Sequence, residues 1–315
     1  MKYAIISDIH GNLPALEAVL ADAAKNGVDS YIFAGDIMSD LPWVNEAAEA
    51  VRNLPRVYAV AGNRDELPKK FGRNAEPLTG VDQVSVLYRT IRGLTPENFR
   101  LLSNLPKSAY IPLPYHGRVY ATHWVSKMFG REKRFWASSG VFREVMEARP
   151  FTRAQMLEQS ARALGSADIK DAMREALAGI DASAVVFGHS HIQWHGRFEG
   201  KLLINPGSCG LPLDWDPRAA YTVLEDSEAG LSINERRVAY DVEETVRRAG
   251  ASAIYGGGGG RIWRDLVFIC LRENKEVIMQ FFALAWEIAR GKGESGEFYS
   301  NRTWREAGER YFRGK

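Results

Sequence analysis

Four of the six histidines stand directly after short apolar runs, and carboxylates and an amide stand at the ends of the same or similar runs. The clusters are Asp8-Ile9-His10, Gly35-Asp36, Gly62-Asn63-Arg64-Asp65, Thr122-His123 and Gly188-His189-Ser190-His191. Imidazole nitrogens, carboxylate oxygens and an amide oxygen are ligands for divalent transition metals. Donors at i and i+2 of an extended segment point to one side, so Asp8 with His10, and His189 with His191, can each reach one ion. Asp36 carries two oxygens and could bridge two cations. Any one of these strings is also an ordinary turn or cap. Two acids, an amide and four imidazoles after successive strands form a combination that packing alone does not explain.

The elements that must position these residues begin with a strand over residues 3–7. Next comes a helix whose apolar stripe is Leu13, Leu16, Leu20 and Ala24, capped by Asn12, with Pro14 in its first turn and Gly27 at its close. A strand over 31–33, a helix over 44–52 and a strand over 57–60 continue the alternation. Continuous apolar strands between amphipathic helices predict βαβ units, and ligands of open α/β sheets gather at the carboxyl ends of such strands. Thr95 and Pro96 open a helix reaching residue 105, and strands over 109–113 and 118–122 flank His116-Gly117. Residues 124–179 read as loop and helices. Strands return at 184–187, and 193–198, 202–204, 220–224 and 231–238 predict an antiparallel meander in a second sheet. Stacking the two yields a sandwich of mixed sheets flanked by helices.

Five consecutive glycines, 256–260, read as a linker. They divide a domain of residues 1–250, carrying a helical insert of about 124–180, from a helical extension over 251–315. The extension's stripe of Trp263, Leu266, Val267, Cys270, Val277, Phe281, Phe282, Leu284 and Trp286 is expected to pack on the main domain or on another subunit, which makes a homo-oligomer through these helices a candidate assembly.

Composition narrows the function classes. The 315 residues are 45% hydrophobic and 25% charged, a globular mixture that excludes disorder as the dominant state. Forty-one basic and 39 acidic residues leave a formal charge of +2, so there is no strong electrostatic footprint for nucleic acid or anionic lipid. Cys209 and Cys270 read as buried thiols of a reducing compartment. The apolar run over 277–286 is far shorter than the about 20 residues a spanning helix needs. A cytoplasmic protein with no membrane partner is the expectation.

The ordered set Asp8-x-His10, Gly35-Asp36, Gly62-Asn63-x-Asp65, His123 and Gly188-His189-x-His191, with Asn205-Pro206-Gly207-Ser208 behind it, resembles the calcineurin-like metallophosphoesterase superfamily. It is most similar to the compact bacterial and archaeal branch, some members of which are named serine/threonine phosphatases, and the likeness spans residues 1–250. It implies an α/β fold, a four-layer α/β/β/α sandwich of two mixed sheets. It also implies two divalent ions (Mn, Fe, Zn or Ni). Asp8, His10, Asp36 and His191 would hold one ion; Asp36, Asn63, His123 and His189 would hold the other. Two ions about 3.5–4 Å apart clamp the attacking and leaving oxygens of an in-line displacement, with a metal-bound hydroxide as the nucleophile. The implied partner is a small phosphoester or a phosphoprotein, and the reaction that of a phosphatase or phosphodiesterase. A scaffold on the same fold that has lost its metals is the competing class, and a nuclease a third.

One departure matters: the family's Gly-Asn-His motif reads Gly62-Asn63-Arg64 here. Arginine stays protonated, so it can hold phosphate charge but is a poor general acid. Asn63 and Arg64 are the expected substrate contacts, and Arg64 with Asp65 the expected catalytic groups; a salt bridge between Arg64 and Asp65 is the plainer alternative. His116 and His195 read as surface or hydrogen-bonded histidines, and Asp40 as a solvated loop carboxylate rather than a support for a ligand. Lys127, Arg131, Lys133, Arg134, Phe135, Trp136, Phe142 and Arg143 form either a cap over the substrate or an amphipathic insert with a solvated face.

Overall fold

The computed structural model describes residues 1–123 and 167–313, with 152, 154, 155 and 158 between them. The basic, aromatic segment 124–149 lies outside the described residues. In chain order the elements begin with Lys2–Ile6 (β1), Leu13–Lys25 (α1), Ser30–Phe33 (β2), Val44–Arg52 (α2), Val57–Ala59 (β3), Leu67–Phe71 (α3), Ser85–Gly93 (α4) and Pro96–Ser103 (α5). Ser108–Pro112 (β4), Arg118–Thr122 (β5), Ala167–Leu177 (α6), Ala184–Val186 (β6), Gln193–Phe198 (β7), Lys201–Pro206 (β8), Ala219–Ser227 (β9) and Gly230–Val238 (β10) follow. Val242–Gly250 (α7), Gly257–Glu273 (α8), Ile278–Gly291 (α9) and Asn301–Arg313 (α10) complete the chain.

Among the described residues, ten strands form two mixed five-stranded sheets, ordered β10-β9-β1-β2-β3 and β4-β5-β6-β8-β7. β1, β2 and β3 are parallel, as are β5, β6 and β8; the first trio has antiparallel β9 on one side, and the second has antiparallel β4 and β7 on its two sides. Strand parity sorts the apolar side chains into layers. Ala4, Ile6 and Phe33 face Leu16, Val19, Ala47 and Val51 of α1 and α2. Tyr3, Ile5 and Ile32 face Val119, Ala184, Val186 and Ile204 of the opposite sheet. Val185 and Leu203 face Met173 and Leu177 of α6. The result is the expected α/β/β/α order.

The expected single meander over 193–238 is instead two hairpins in different sheets. β7 and β8 extend the second sheet, whereas β9 lies against β1 in the first. Alternating hydrophobicity specifies which face of a strand is buried, not which neighbour it takes. The chain changes sheet after β8, and Gln193 on one sheet donates its amide to the Tyr221 carbonyl on the other at 2.9 Å.

The glycine run is no linker: Gly257–Glu273 is helical, and Gly259 and Gly260 are buried. A Cβ on Gly259 would stand 2.4 Å from the Asp82 carbonyl oxygen. The glycines therefore let α8 close onto the turn at Asp82–Val84. Trp263, Leu266, Val267 and Phe281 share a buried cluster with Leu41, Val86, Leu211 and Leu213, so the extension rests on loops of the sandwich. Both cysteines are free and buried. Among the described residues, no helix is long and apolar enough to cross a membrane.

Close approach and flexibility are separable here. Gly259→Ala is expected to cost about 1–3 kcal/mol through overpacking. At Gly258 the nearest atom to a new Cβ is 3.7 Å away, so Gly258→Ala should be neutral or stabilising. Urea unfolding of the two variants checks the contrast; equal stabilities would mean the run serves only as a hinge.

Candidate metal centre

The donors come together at the carboxyl ends of the parallel strands of both sheets. Asp8 and His10 follow β1, Asp36 follows β2, Asn63 follows β3, His123 follows β5, and His189 and His191 follow β6. Within the set, Asp8, His10 and His191 offer ligand atoms within 4.8 Å of one another, and so do Asp36, His123 and His189. Six of the seven expected donors thus fall into two groups of three. Asp36 Oδ2 lies 3.8 Å from His10 Nε2 and 3.5 Å from His123 Nε2, between the two groups. Asn63 Oδ1 stands 3.2 Å from His123 Nε2.

Side chains converge by a different route from the one predicted. Asp8, His10, Asp36, His189 and His191 all have φ between 52° and 73°, so the i and i+2 pairs lie in left-handed bends rather than in extended chain. Such backbone costs about 1–2 kcal/mol per non-glycine residue. It is held by loop-to-loop bonds: Asp8 N–H donates to the Gly35 carbonyl at 2.9 Å and His10 N–H to the Asp36 carbonyl at 3.0 Å. The glycine of one motif is a matter of contact distance, since a Cβ on Gly62 would fall 2.0 Å from Asp36 Oδ1.

Outer contacts determine which nitrogen of each ring faces inward. His123 Nδ1 donates to the Ala34 carbonyl at 2.6 Å, and His191 Nδ1 to the Leu211 carbonyl at 2.6 Å. His10 Nδ1 is 2.7 Å from Asp40 Oδ2. All three rings therefore turn Nε2 into the cage, where the neighbours are again acceptors: His10 Nε2 and His191 Nε2 are 3.2 Å apart, and Asp8 Oδ1 is 3.3 Å from His191 Nε2. With the rings neutral, lone pairs would crowd on lone pairs, a repulsion that protons or a bound cation relieve. These residues fit divalent ions held by imidazole and carboxylate.

Titration follows from the same crowding. Burial opposes charge on His10, but its hydrogen bonds with Asp40 and Asp8 win and push its pKa up to about 10. Burial likewise opposes charge on His123, and Asp36 and Asp8 raise it to about 9. His189 is driven the other way, to about 4, by burial and by the neighbouring His123. Burial pushes Asp8 upward, yet His191 and His123 hold its carboxyl well below the usual range.

Asp65 lies beside this cage without entering it. Its carboxylate accepts the backbone N–H groups of Ile37 at 3.1 Å, Met38 at 3.1 Å and Gly62 at 3.0 Å. It thus ties the loops after β2 and β3 together, and burial with the nearby Asp36 raises its pKa to about 6. Nor does Arg64 turn to Asp65: its guanidinium carbon stands 5.9 Å from the centre of the Trp263 ring. Asn205 Nδ2 donates to the Gly188 carbonyl at 3.1 Å and Ser208 Oγ to the Asp8 carbonyl at 2.7 Å, supporting the cage from behind. Asn12 caps α1 as expected. His116 Nδ1 lies 2.6 Å from Asp226 Oδ1, and His195 Nδ1 lies 2.7 Å from Glu235 Oε1.

Asp40 overturns its reading as a solvated carboxylate: it is buried against His10. Trp263, which donates to Asp40, is missed altogether from sequence. Nothing in a motif links positions so far apart; only the spare carboxylate near a ligand was a signal.

Stacked mixed sheets presenting clustered histidines and aspartates at one set of strand ends define an α/β protein with candidate metal sites. The chain belongs to the calcineurin-like phosphoesterase family, whose sequence profile matches residues 1–193. An uncharacterized protein of Methanocaldococcus jannaschii is 24% identical over 261 residues, 78% of this chain and 90% of that one. A metallophosphoesterase from Sphaerobacter thermophilus shares the fold with a TM-score of 0.57 and 23% identity, covering 87% of this chain and 100% of that one. A hypothetical protein from Pyrococcus horikoshii OT3 does so with a TM-score of 0.56 and 17% identity, covering 88% and 99%.

With pKa values near 10 and 9, His10 and His123 carry protons at pH 7 in the ion-free chain. Metal uptake must displace those protons. Apparent affinity for Mn²⁺ should therefore rise with pH until about 9–10, with up to about two protons released per chain at pH 7. Calorimetry in buffers of differing ionisation enthalpy measures the release; a buffer-independent heat would contradict the proposed cage.

Proposed function

We propose that this protein hydrolyses phosphoester bonds using two transition-metal ions, Mn, Fe, Zn or Ni, held by Asp8, His10, Asp36, Asn63, His123, His189 and His191. The observation that carries the reading is the set of inward Nε2 atoms packed against carboxylate oxygens, with Asp36 between the two groups. Family membership points to the same reaction class. Bound ions supply Lewis acidity and an activated water.

The chain's own residues do the rest. Asp8, His10, Asp36, His123 and His191 are buried, whereas Asn63, Arg64 and His189 are only half-buried, so substrate enters over those three. Asn63 offers an amide and Arg64 a permanent charge to phosphoryl oxygens, and Arg64 N–H donates to Asp36 Oδ1 at 2.7 Å, which holds this loop against the cage. Arg64 occupies the position where the family pattern has histidine, and a guanidinium is a poor general acid. Mono- or diesters whose leaving groups depart without a proton, such as aryl phosphates, are therefore the favoured substrates, together with anhydrides.

Metal-stripped protein restored with Mn, Ni, Zn or Fe and given aryl and alkyl phosphoesters tests the reading. Metal-dependent hydrolysis is expected, faster on the aryl substrates, and Asp36→Asn should lose more than the about 10–100-fold typical of groups that only support a ligand. Arg64→Ala should lower kcat by about 10²–10³-fold, the scale for removing one preorganised contact to transition-state charge. Arg64→His should narrow the gap between aryl and alkyl substrates; an equal effect on both would refute the leaving-group argument. Hydrolysis that no metal restores would refute the whole assignment.

A further inference from the structure

We propose that the C-terminal helical region is a working part of the metal centre, in which Trp263 is a positioning residue that holds Asp40 so that Asp40 orients His10. The inference rests on the metal-centre reading above. It extends that reading to residues beyond the span matched by the family profile.

Asp40 follows β2 by way of a left-handed bend of its own, at φ 63°, and is 2% exposed. Oδ2 faces His10 Nδ1 at 2.7 Å. Oδ1 accepts the Trp263 indole N–H at 2.9 Å and the Ser39 hydroxyl at 3.1 Å. Its main-chain carbonyl accepts the Tyr255 hydroxyl at 2.6 Å. Both the carboxylate and the strained backbone are thus gripped from the region where α8 begins. An indole N–H is a donor only, so it aims the carboxylate without removing its charge. The carboxylate in turn sets which nitrogen of His10 faces the ion, a contact on which metal affinity depends. The same indole face lies under the Arg64 guanidinium, linking the cation offered to substrate with the support of a ligand.

Trp263 also belongs to the apolar cluster that seats the extension, so packing alone is the competing explanation. Trp263→Phe separates the two, since it keeps an aromatic ring and loses the N–H. Metal-stripped, full-length protein is titrated with Mn²⁺ by calorimetry as wild type, Trp263→Phe, Asp40→Ala and the double variant. Trp263→Phe is expected to weaken one Mn²⁺ site by about 10-fold or more and leave the other unchanged. In the Asp40→Ala background it should weaken nothing further. Wild-type affinity in Trp263→Phe, or the same loss with Asp40 already gone, overturns the inference. If Trp263→Phe does not fold, Tyr255→Phe carries the test: a weaker site of the same kind supports the link, and an unchanged isotherm overturns it. Wild-type protein that takes up no Mn²⁺ overturns the metal-centre reading itself, an outcome distinct from all of these.

Discussion

Imidazole nitrogens and carboxylate oxygens crowded into one buried space are what the fold has assembled. His10 and His191 bring Nε2 to within 3.2 Å of each other, and Asp8 and Asp36 add oxygens to the same space. Folding such a cage from a neutral, ion-free chain would set lone pairs against lone pairs in a buried volume, where water cannot screen them. Protons on His10 and His123 relieve this in the ion-free chain, and divalent cations relieve it better because each accepts several donors at once. The left-handed bends at the ligand residues are the conformational cost of that convergence, offset by the loop-to-loop hydrogen bonds around them.

Rigidity is supplied in layers. Strand ends bring the donors near, and carbonyls of Ala34 and Leu211 choose the tautomers of His123 and His191. Asp65 clamps two ligand loops through three backbone amides. The residue expected to share in the chemistry at position 65 has its carboxylate turned to main-chain N–H groups of both loops. Arg64 sits one residue away and has the opposite character, half-buried and charged over an indole ring.

Much of the fold was legible because local sequence and burial agree. Lys2–Ile6 and Ser30–Phe33 are short apolar strands between amphipathic helices, and Asn12 and Thr95 cap helices as their side chains dictate. The donors were legible because imidazole, carboxylate and amide side chains recur directly after successive apolar runs. Partnering was not legible. β9 and β10 read like a continuation of β7 and β8, yet β9 completes the first sheet beside β1. The glycine run read as flexible because Gly lacks a side chain, whereas here that lack lets α8 touch Asp82.

The amino-acid sequence by itself determined the donor chemistry, the βαβ start and the substitution of arginine where the family has histidine, since these depend on residue type and on spacing along a few turns of chain. Only the tertiary structure decided that Asp40 supports His10, that Trp263 supports Asp40, and that the glycines close a helix. Those contacts join positions more than two hundred residues apart or depend on packing distances of a few ångströms. One-dimensional patterns record which side chains prefer burial, but a hydrogen bond between distant loops exists only once the core has set their separation.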